Sequence, residues 1–257
     1  MAHLALYYQT SPEQLDTEQV KNYLNYCKNQ HDTPSDSFFK HTVYGLRAAY
    51  KCLGIKDKRI ALPQLKRQDK LPIILNTDEV KQLLKAPKYL RHRLMLAFLY
   101  GCGMRSYELC NLEIKHLDFK RKQVLIPKGK GKKDRYVPLS EHLIRGLKKL
   151  FKTENNTKYV FISQVSKDGK QHPITNRTVQ WLIKECRAKV DTVKPFTAHT
   201  LRHSYATHLL EQGTSLPQLK ALLGHSHIET TMIYLHVAQF ENKSAFSPLD
   251  SLYHDKA

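Results

Sequence analysis

The C-terminal third of the sequence carries side chains whose types and spacing suit chemistry on a phosphate diester. His199 and Arg202 lie three positions apart, so a helix would place them on one face. His225 follows a glycine typical of a helix end, and Tyr234 comes nine residues later. A guanidinium can hold phosphate through two hydrogen bonds, and a tyrosine becomes a nucleophile when neighbouring cations and a base favour loss of its proton. The cluster predicts a site that binds and attacks a phosphodiester.

A pentavalent phosphorus transition state needs more positive charge than one arginine supplies. Arg105 follows Gly-Cys-Gly-Met at a predicted helix start, where backbone N–H groups also favour an anion. Glu108, one turn later, is placed to orient it. The later segment PKGKGKKDR carries four lysines and an arginine in a glycine-broken hairpin. It offers an ammonium suited to reach a leaving 5′ oxygen.

The histidines do not form a metal-binding pattern. His199 and His203 are four apart, but the segment between them lacks the glutamate of H-E-x-x-H, and Arg202 would repel a cation. His225 and His227 lack a partnering cysteine or carboxylate. We therefore predict no metal and no cofactor.

The overall charge indicates a polyanionic partner. Among 257 residues, 42 Lys and Arg face 23 Asp and Glu, a formal net charge of +19. The segment from Lys115 to Lys152 alone holds 13 basic against 3 acidic residues, a concentration typical of a groove lining rather than of a disordered tail. The hydrophobic content of 41% is that of a folded globular protein.

Compartment signals favour a cytoplasmic, nucleoid-associated protein without membrane contact. The longest apolar candidate, Leu94 to Cys102, is far shorter than the roughly 18 residues of a membrane span. The N-terminus has no secretory signal pattern. Five scattered cysteines, with no C-x-x-C pair, indicate reduced thiols.

The chain is predicted to hold two domains, 1–70 and 71–257. In the first, apolar spacing predicts helices over Ser11–Gln30 and from Ser35 or Asp36 through Leu53, before Gly54. The charged segment Lys56–Lys70 has no clear period and reads as a linker.

The second domain is predicted to be mainly helical with a small sheet. Strand-like periods at 117–119, 123–126 and 136–139 predict a three-stranded antiparallel meander. A capping box of Ser226 and Glu229 is expected to begin the helix that bears Tyr234. The other helices are predicted over 77–86, 91–102, 105–112, 141–151, 176–190, 198–212 and 216–223.

Four segments, GCGMRSYEL, GKGKKDRYVPL, HTLRHSYATHLL and LLGHSHIETTMIYLHV, resemble in order and spacing the motifs of the tyrosine recombinases of the phage-integrase and Xer type. The resemblance runs from about Leu71 to Val237. It implies that 71–257 is a tyrosine-recombinase catalytic domain, preceded by a short helical core-binding domain that clamps DNA. The residues that it matches are Arg105 as the first catalytic arginine, Glu108 as its support, Lys130 as the general acid, His199 and Arg202 as the H-x-x-R pair, His225 as the later histidine and Tyr234 as the nucleophile.

The implied reaction is site-specific strand exchange. Tyr234 would attack the scissile phosphate, form a 3′-phosphotyrosyl link and free a 5′-hydroxyl, with His199 helping to handle its proton. The partner strand's 5′-hydroxyl would reverse the step, so neither ATP nor metal is required. The implied partners are double-stranded DNA recombination sites and three further copies in a homotetramer, with accessory proteins, for DNA integration, excision or inversion.

Several alternatives remain open at this level. Four residues of the hairpin are predicted to bind DNA: Lys128, Lys132, Lys133 and Arg135. One of these three lysines is the alternative to Lys130 as the acid. His203 and His208 are expected to pack or face solvent rather than act. A type IB topoisomerase-like enzyme and a catalytically inactive DNA-binding factor are the rival functions. The first domain is shorter than that of relatives, so part of the clamp or of a subunit contact is expected to be missing. Residues 238–257 are expected to dock either on their own domain or on a neighbouring subunit.

Overall fold

The computed structural model of the protein describes residues 2–30, 36–55, 58–61, 71–127, 134–163 and 171–238. The chain divides into two compact units, Met1–Asp69 and Lys70–Ala257, and each has its own hydrophobic core. Within the described ranges, no helix is long and apolar enough to cross a membrane.

The described part of the first unit consists mainly of helices α1 (Ala2–Tyr8), α2 (Thr17–Asn29) and α3 (Asp36–Cys52). Apolar residues at helical spacing on α2 and α3 face each other, because only one side of each helix can be buried in so small a unit. Their shared core contains Leu4, Leu15, Val20, Leu24, Phe39, Val43, Leu46 and Tyr50.

The prediction that α2 begins at Ser11 is wrong. Asp16 caps the helix instead: its side chain accepts from the Gln19 N–H at 2.6 Å, and the Gln19 side chain accepts from the Asp16 N–H at 2.9 Å. This reciprocal pair satisfies two backbone donors and fixes the start at Thr17. Helix α1 was not predicted, because Leu4 alone among its residues is buried and gives no apolar period.

The second unit is mainly helical and contains a small antiparallel sheet, as predicted. The strands β1, β2 and β3 lie in chain order, with Leu117 opposite Val124 and Val124 opposite Val137. The elements are α4 (Thr77–Lys85), α5 (Leu90–Gly101), α6 (Ser106–Cys110), a 3₁₀ turn (Ile114–His116), β1 (Leu117–Asp118), β2 (Gln123–Ile126), β3 (Arg135–Pro138), α7 (Glu141–Thr153), α8 (Asn176–Arg187), α9 (Ala198–Glu211), α10 (Leu216–Leu223) and α11 (Glu229–Met232).

Helices α5 and α9 form the centre of the second unit. Helix α5 buries Leu94, Met95, Leu96, Phe98 and Leu99, and it packs against both α7 and α9. A helix that is apolar on all sides is stable in water only when other elements surround it. The C-terminal end of α5 meets the last turns of α9, where Tyr100 contacts His208. Just beyond α5, the Gly103 carbonyl accepts from Arg202, a residue of the candidate site.

The end of α10 fixes the direction in which the chain leaves toward His225. Gly224 has φ +63°, a left-handed conformation that favours glycine, and the His225 N–H bonds the Lys220 carbonyl at 3.1 Å. A Cβ at position 224 would lie 3.0 Å from Cδ of Arg135. The glycine therefore permits both the turn and the close approach of Arg135.

The predicted capping box of Ser226 and Glu229 is wrong. Helix α11 begins at Glu229 after Ile228, which makes no side-chain capping hydrogen bond. Ser226 lies two residues further upstream, in a bend, and its side chain is exposed. The start of α11 therefore depends on tertiary contacts rather than on a local cap.

Substitution of Gly103 tests how closely the segment after α5 packs against α9. The φ of Gly103 is +56°, and a Cβ there would lie 2.4 Å from Cδ1 of Tyr205 on α9. Gly103→Ala is expected to lower the free energy of unfolding by about 2–3 kcal/mol in a urea titration, through backbone strain and overpacking. Gly101→Ala is the control, because its Cβ would meet only Leu143 at 3.8 Å. Equal effects of the two substitutions would contradict this packing.

Candidate active site

A buried carboxylate joins two arginines at the start of α6. Glu108 Oε1 accepts from Nη1 of Arg105 at 2.9 Å, and Glu108 Oε2 accepts from the Arg105 backbone N–H at 2.8 Å. Arg135 donates to both oxygens of Glu108, at 2.8 and 2.7 Å. The side chains of Arg135 and Glu108 are only 5% and 7% exposed, whereas Arg105 retains 24% exposure. Arg105 is thus held with one side open.

Arg135 does not have the position expected of a DNA-binding residue, and that prediction is corrected. Besides Glu108, its Nε donates to the Leu222 carbonyl at 2.9 Å. A buried guanidinium with these partners has little left to offer a phosphate. It instead ties β3 to α6 and to the end of α10. Sequence spacing gave no sign of this, since Arg135 and Glu108 are 27 residues apart.

The pairing keeps Glu108 ionised. Burial alone would favour the neutral acid, but hydrogen bonds and charge from Arg135, with help from Arg105, lower the pKa of Glu108 to about 2. The carboxylate therefore remains charged at neutral and mildly acidic pH, and it keeps both guanidiniums oriented.

Arg202, on the first turns of α9, is buried and forms the second cationic centre. It donates to the carbonyl of Gly103, to the carbonyl of Leu223 at 2.6 Å and toward Nε2 of His225 at 3.3 Å. Burial, with Arg105 nearby, lowers the pKa of Arg202 to about 10, so the guanidinium stays charged at neutral pH. Arg202 thereby connects the segment before Arg105 with the segment that carries His225.

His225 is held from both ring nitrogens. Its Nδ1 lies 2.9 Å from Oγ1 of the buried Thr231, and its Nε2 faces Arg202. Arginine can only donate, so Nε2 accepts and Nδ1 carries the proton donated to Thr231. Burial and the charges of Arg202 and Arg105 lower the pKa of His225 to about 4. The imidazole is therefore neutral in the free protein.

Tyr234 lies on the turn after α11 and is only 2% exposed, within an apolar cluster that includes Tyr205 and Leu223. Its hydroxyl lies 3.0 Å from Nδ1 of His203. Burial raises the pKa of Tyr234, while Arg202 and Arg105 act in the opposite direction. The nucleophile predicted from the sequence is therefore beside the arginines.

Two of the three histidines of α9 have surroundings that differ from those expected from the sequence. His203, expected to pack or face solvent, contacts the Tyr234 hydroxyl, whereas His199 is exposed, with its ring centroid 6.4 Å from that of His203. His208 packs as expected, with Nδ1 2.9 Å from the hydroxyl of Tyr100. The i, i+4 spacing of His199 and His203 places both on one face of α9, and this is the sequence signal that could have identified His203 as a neighbour of the site.

The predicted lysines lie outside the described residues. Lys128, Lys130, Lys132 and Lys133 fall in the stretch 128–133, between β2 and β3. The strands on either side are paired up to Ile126 and Arg135. Within the described ranges, no group of three or more His, Cys, Asp or Glu is arranged to hold a metal ion.

Two charged guanidiniums, a neutral histidine and a phenol thus face one region. Arg105 and Arg202 complement a phosphate, and the phenol is the nucleophilic type of side chain among them. This arrangement defines the class of the protein as one that performs phosphoryl transfer through a tyrosine.

Comparisons with known proteins agree. The model of the phage integrase family matches residues 74–241. A tyrosine recombinase XerA of Pyrococcus horikoshii is 35% identical over 196 residues, which cover 76% of this chain and 67% of the relative. A tyrosine recombinase of Thermosipho africanus is 34% identical over 247 residues, covering 92% and 84%. A XerH site-specific recombinase solved in a pre-cleavage complex with its difH substrate has a TM-score of 0.68 at 23% identity, covering 95% and 72%.

The chain therefore belongs to the phage integrase family, and its activity is site-specific cleavage and rejoining of DNA by a tyrosine mechanism. The resemblance recognised in the sequence is confirmed.

The neutral buried histidines predict a pH-dependent stability. The pKa values of His203 and His225 are each lowered to about 4, from an ordinary value near 6.5, so the unfolded chain binds more protons than the folded one between these values. Between pH 7 and pH 5 the free energy of unfolding should fall by about 1 kcal/mol for each histidine, about half of the full linkage value, because solvent screens these partly buried side chains. Urea titrations at the two pH values measure this.

The double variant His203→Gln, His225→Gln is the control for this loss. It should lose less stability than the unchanged protein over the same interval, because glutamine takes up no proton. Glu108 contributes little there, since the stability from its lowered pKa is lost as the pH falls from the ordinary value of 4.5 to about 2, below this interval. Identical pH dependence in both proteins would contradict the description of the two histidines.

Proposed function

We propose that Tyr234 attacks the scissile phosphate of a DNA recombination site and forms a 3′-phosphotyrosyl bond as the 5′ oxygen leaves. The observation that carries this is the convergence of Tyr234, Arg202 and Arg105, which lie far apart in sequence. Arg202 reaches the Gly103 carbonyl, and Tyr234 contacts His203, the residue next to Arg202. Attack by the 5′-hydroxyl of a second strand then reverses the step and completes the exchange.

The roles of the cations follow from their charge states. Arg105 and Arg202 stabilise the non-bridging oxygens of the phosphorane, because their guanidiniums carry charge that a doubly negative centre needs. His225 is neutral in the free protein, and a bound phosphate favours its protonated form, which can donate from Nε2. DNA binding should therefore be accompanied by proton uptake at this residue.

Lys130 is the proposed acid for the leaving oxygen. It belongs to the stretch between the paired ends of β2 and β3, and the second of these ends is Arg135, which is bonded to Glu108. Lys128, Lys132 and Lys133 serve as neutralising neighbours of the DNA backbone. His199, exposed on the first turn of α9, is free to approach bound DNA.

The partners proposed are two recombination sites and four copies of the chain. Exchange between two duplexes requires four strand breaks, and each chain supplies one Tyr234. Four chains in a homotetramer therefore supply one nucleophile for each break. The related XerH, bound to difH, supports a DNA recombination site as the partner. Because the protein acts on DNA, we place it at the nucleoid in the cytoplasm. Accessory proteins join the assembly where the recombination sites need them.

The first predicted domain, residues 1–70, is the proposed DNA clamp, and the second, residues 71–257, is the proposed catalytic domain. A hollow of about 460 Å³ in the first unit is lined by four basic residues together with apolar ones. Arg47, Lys51 and Arg59 are exposed there, and Arg47 also donates to the Ile60 carbonyl. Lys58 instead donates to backbone carbonyls of Glu13 and Leu15. The exposed cations suit contact with a phosphate backbone.

A nicked suicide substrate tests the assignment of Tyr234. A strand nicked close to the cleavage position loses its 5′-hydroxyl fragment by diffusion, so the covalent intermediate accumulates. The unchanged protein should form a protein–DNA adduct on a denaturing gel, and Tyr234→Phe should form none, because it removes the attacking oxygen. Tyr205→Phe is the matched control on a neighbouring buried tyrosine and should still form the adduct.

An adduct with Tyr234→Phe would overturn the assignment. A second readout separates recombination from topoisomerase activity. Strand exchange between two duplexes is the expected result, whereas rejoining confined to one duplex would favour the topoisomerase alternative.

A further inference from the structure

The hydroxyl of Tyr234 has a specific partner that the assigned roles do not use. Nδ1 of His203 lies 3.0 Å from the phenolic oxygen, and the two rings are 5.6 Å apart with an interplanar angle of 49°. His203 is partly buried and Tyr234 almost fully buried. The contact joins α9 to the turn after α11 at the reacting atom itself.

The role inferred from the motif falls on a different histidine. The resemblance gives His199 the task of handling the tyrosine proton, but His199 is exposed, and its ring is 6.4 Å from the ring of His203. His199 and His203 are one helical turn apart on α9. The histidine in direct contact with the phenol is therefore the one nearer to the core.

The protonation state of His203 suits a proton acceptor. Burial, together with the charges of His199 and Arg202, lowers the pKa of His203 to about 4, so the imidazole is neutral in the free protein. A neutral imidazole has one ring nitrogen that can accept, and the phenol is a donor at neutral pH. The phenolic O–H consequently donates to Nδ1, and the ring proton is on Nε2.

We propose that His203 is the general base for Tyr234, a catalytic role that rests on the proposed function of the tyrosine. As the bond from Tyr234 Oη to phosphorus forms, the phenolic proton moves to Nδ1 of His203. The bond from phosphorus to the 5′ oxygen breaks, and that oxygen takes a proton from the lysine acid. In the rejoining step the 5′-hydroxyl attacks phosphorus and gives its proton back to the lysine. The bond from phosphorus to Tyr234 Oη breaks, and the imidazolium returns its proton to the departing phenolate.

Surrounding charges make this transfer feasible. The imidazolium forms beside Arg202, which disfavours it, but it forms together with the additional negative charge of the phosphorane. Arg105 and Arg202, whose charges both act on Tyr234, stabilise that negative charge, and His225 contacts Arg202. The proton therefore moves only while the phosphate is bound, which protects the free protein from a charged tyrosine.

Single-turnover adduct formation on the suicide substrate tests the proposal. His203→Ala should slow it by about 100-fold or more, the range of a lost general base. Added imidazole should restore part of the rate, because it can enter the space left by the side chain and accept the proton. His199→Ala is the matched control on the same helix, and imidazole should not restore any loss that it causes.

A second variant separates proton transfer from positioning. His203→Asn retains a short polar group that can hydrogen-bond the phenol, but it cannot take up a proton. It should remain about 100-fold slow. A near-normal rate for His203→Asn, absence of imidazole rescue in His203→Ala, or rescue of His199→Ala alone would each overturn the proposal.

The outcome for Tyr234→Phe distinguishes failure of the proposed function from failure of the role proposed for His203. If Tyr234→Phe still forms an adduct, the proposed function fails, whatever the histidines do. If Tyr234→Phe is inactive and the imidazole result is negative, only the role of His203 fails.

Discussion

The structure depends on a buried carboxylate that must be paired. Glu108 is nearly inaccessible, and an ionised carboxylate in that position is tolerated only because Arg105 and Arg135 donate to it. The two guanidiniums come from the start of α6 and from β3, and Arg135 also bonds the end of α10. One charge therefore fixes three elements, and Arg105 is left with a partly open side toward the site.

Arg202 extends this arrangement through the core. Its bonds to the carbonyls of Gly103 and Leu223 join the end of α5 to the end of α10, so the packing of α5 against α9 sets the distance between the cations. The result is an excess of positive charge beside neutral histidines and an un-ionised phenol. Such a site is incomplete until an anion enters, and a DNA phosphate supplies the missing charge.

Much of this was predictable from the sequence, for physical reasons. Apolar periods mark the helices of the second unit and the meander, and Arg105, Glu108, Arg202, His225 and Tyr234 follow from the motifs. The errors concern contacts between distant residues. Arg135 looks like one more cation of a basic hairpin until its partner 27 residues away is known. His203 is indistinguishable from a packing residue without the position of Tyr234, and the start of α11 has no local cap.

The central claim is that Glu108 and Arg135 act as one unit that positions Arg105, and a double-mutant cycle on adduct formation tests it most directly. Rates are measured for Glu108→Gln, Arg135→Gln and the double variant under single turnover. If the pair acts as a unit, the double variant should be within about threefold of the slower single variant. A double variant whose loss equals the product of the two single losses would contradict the account.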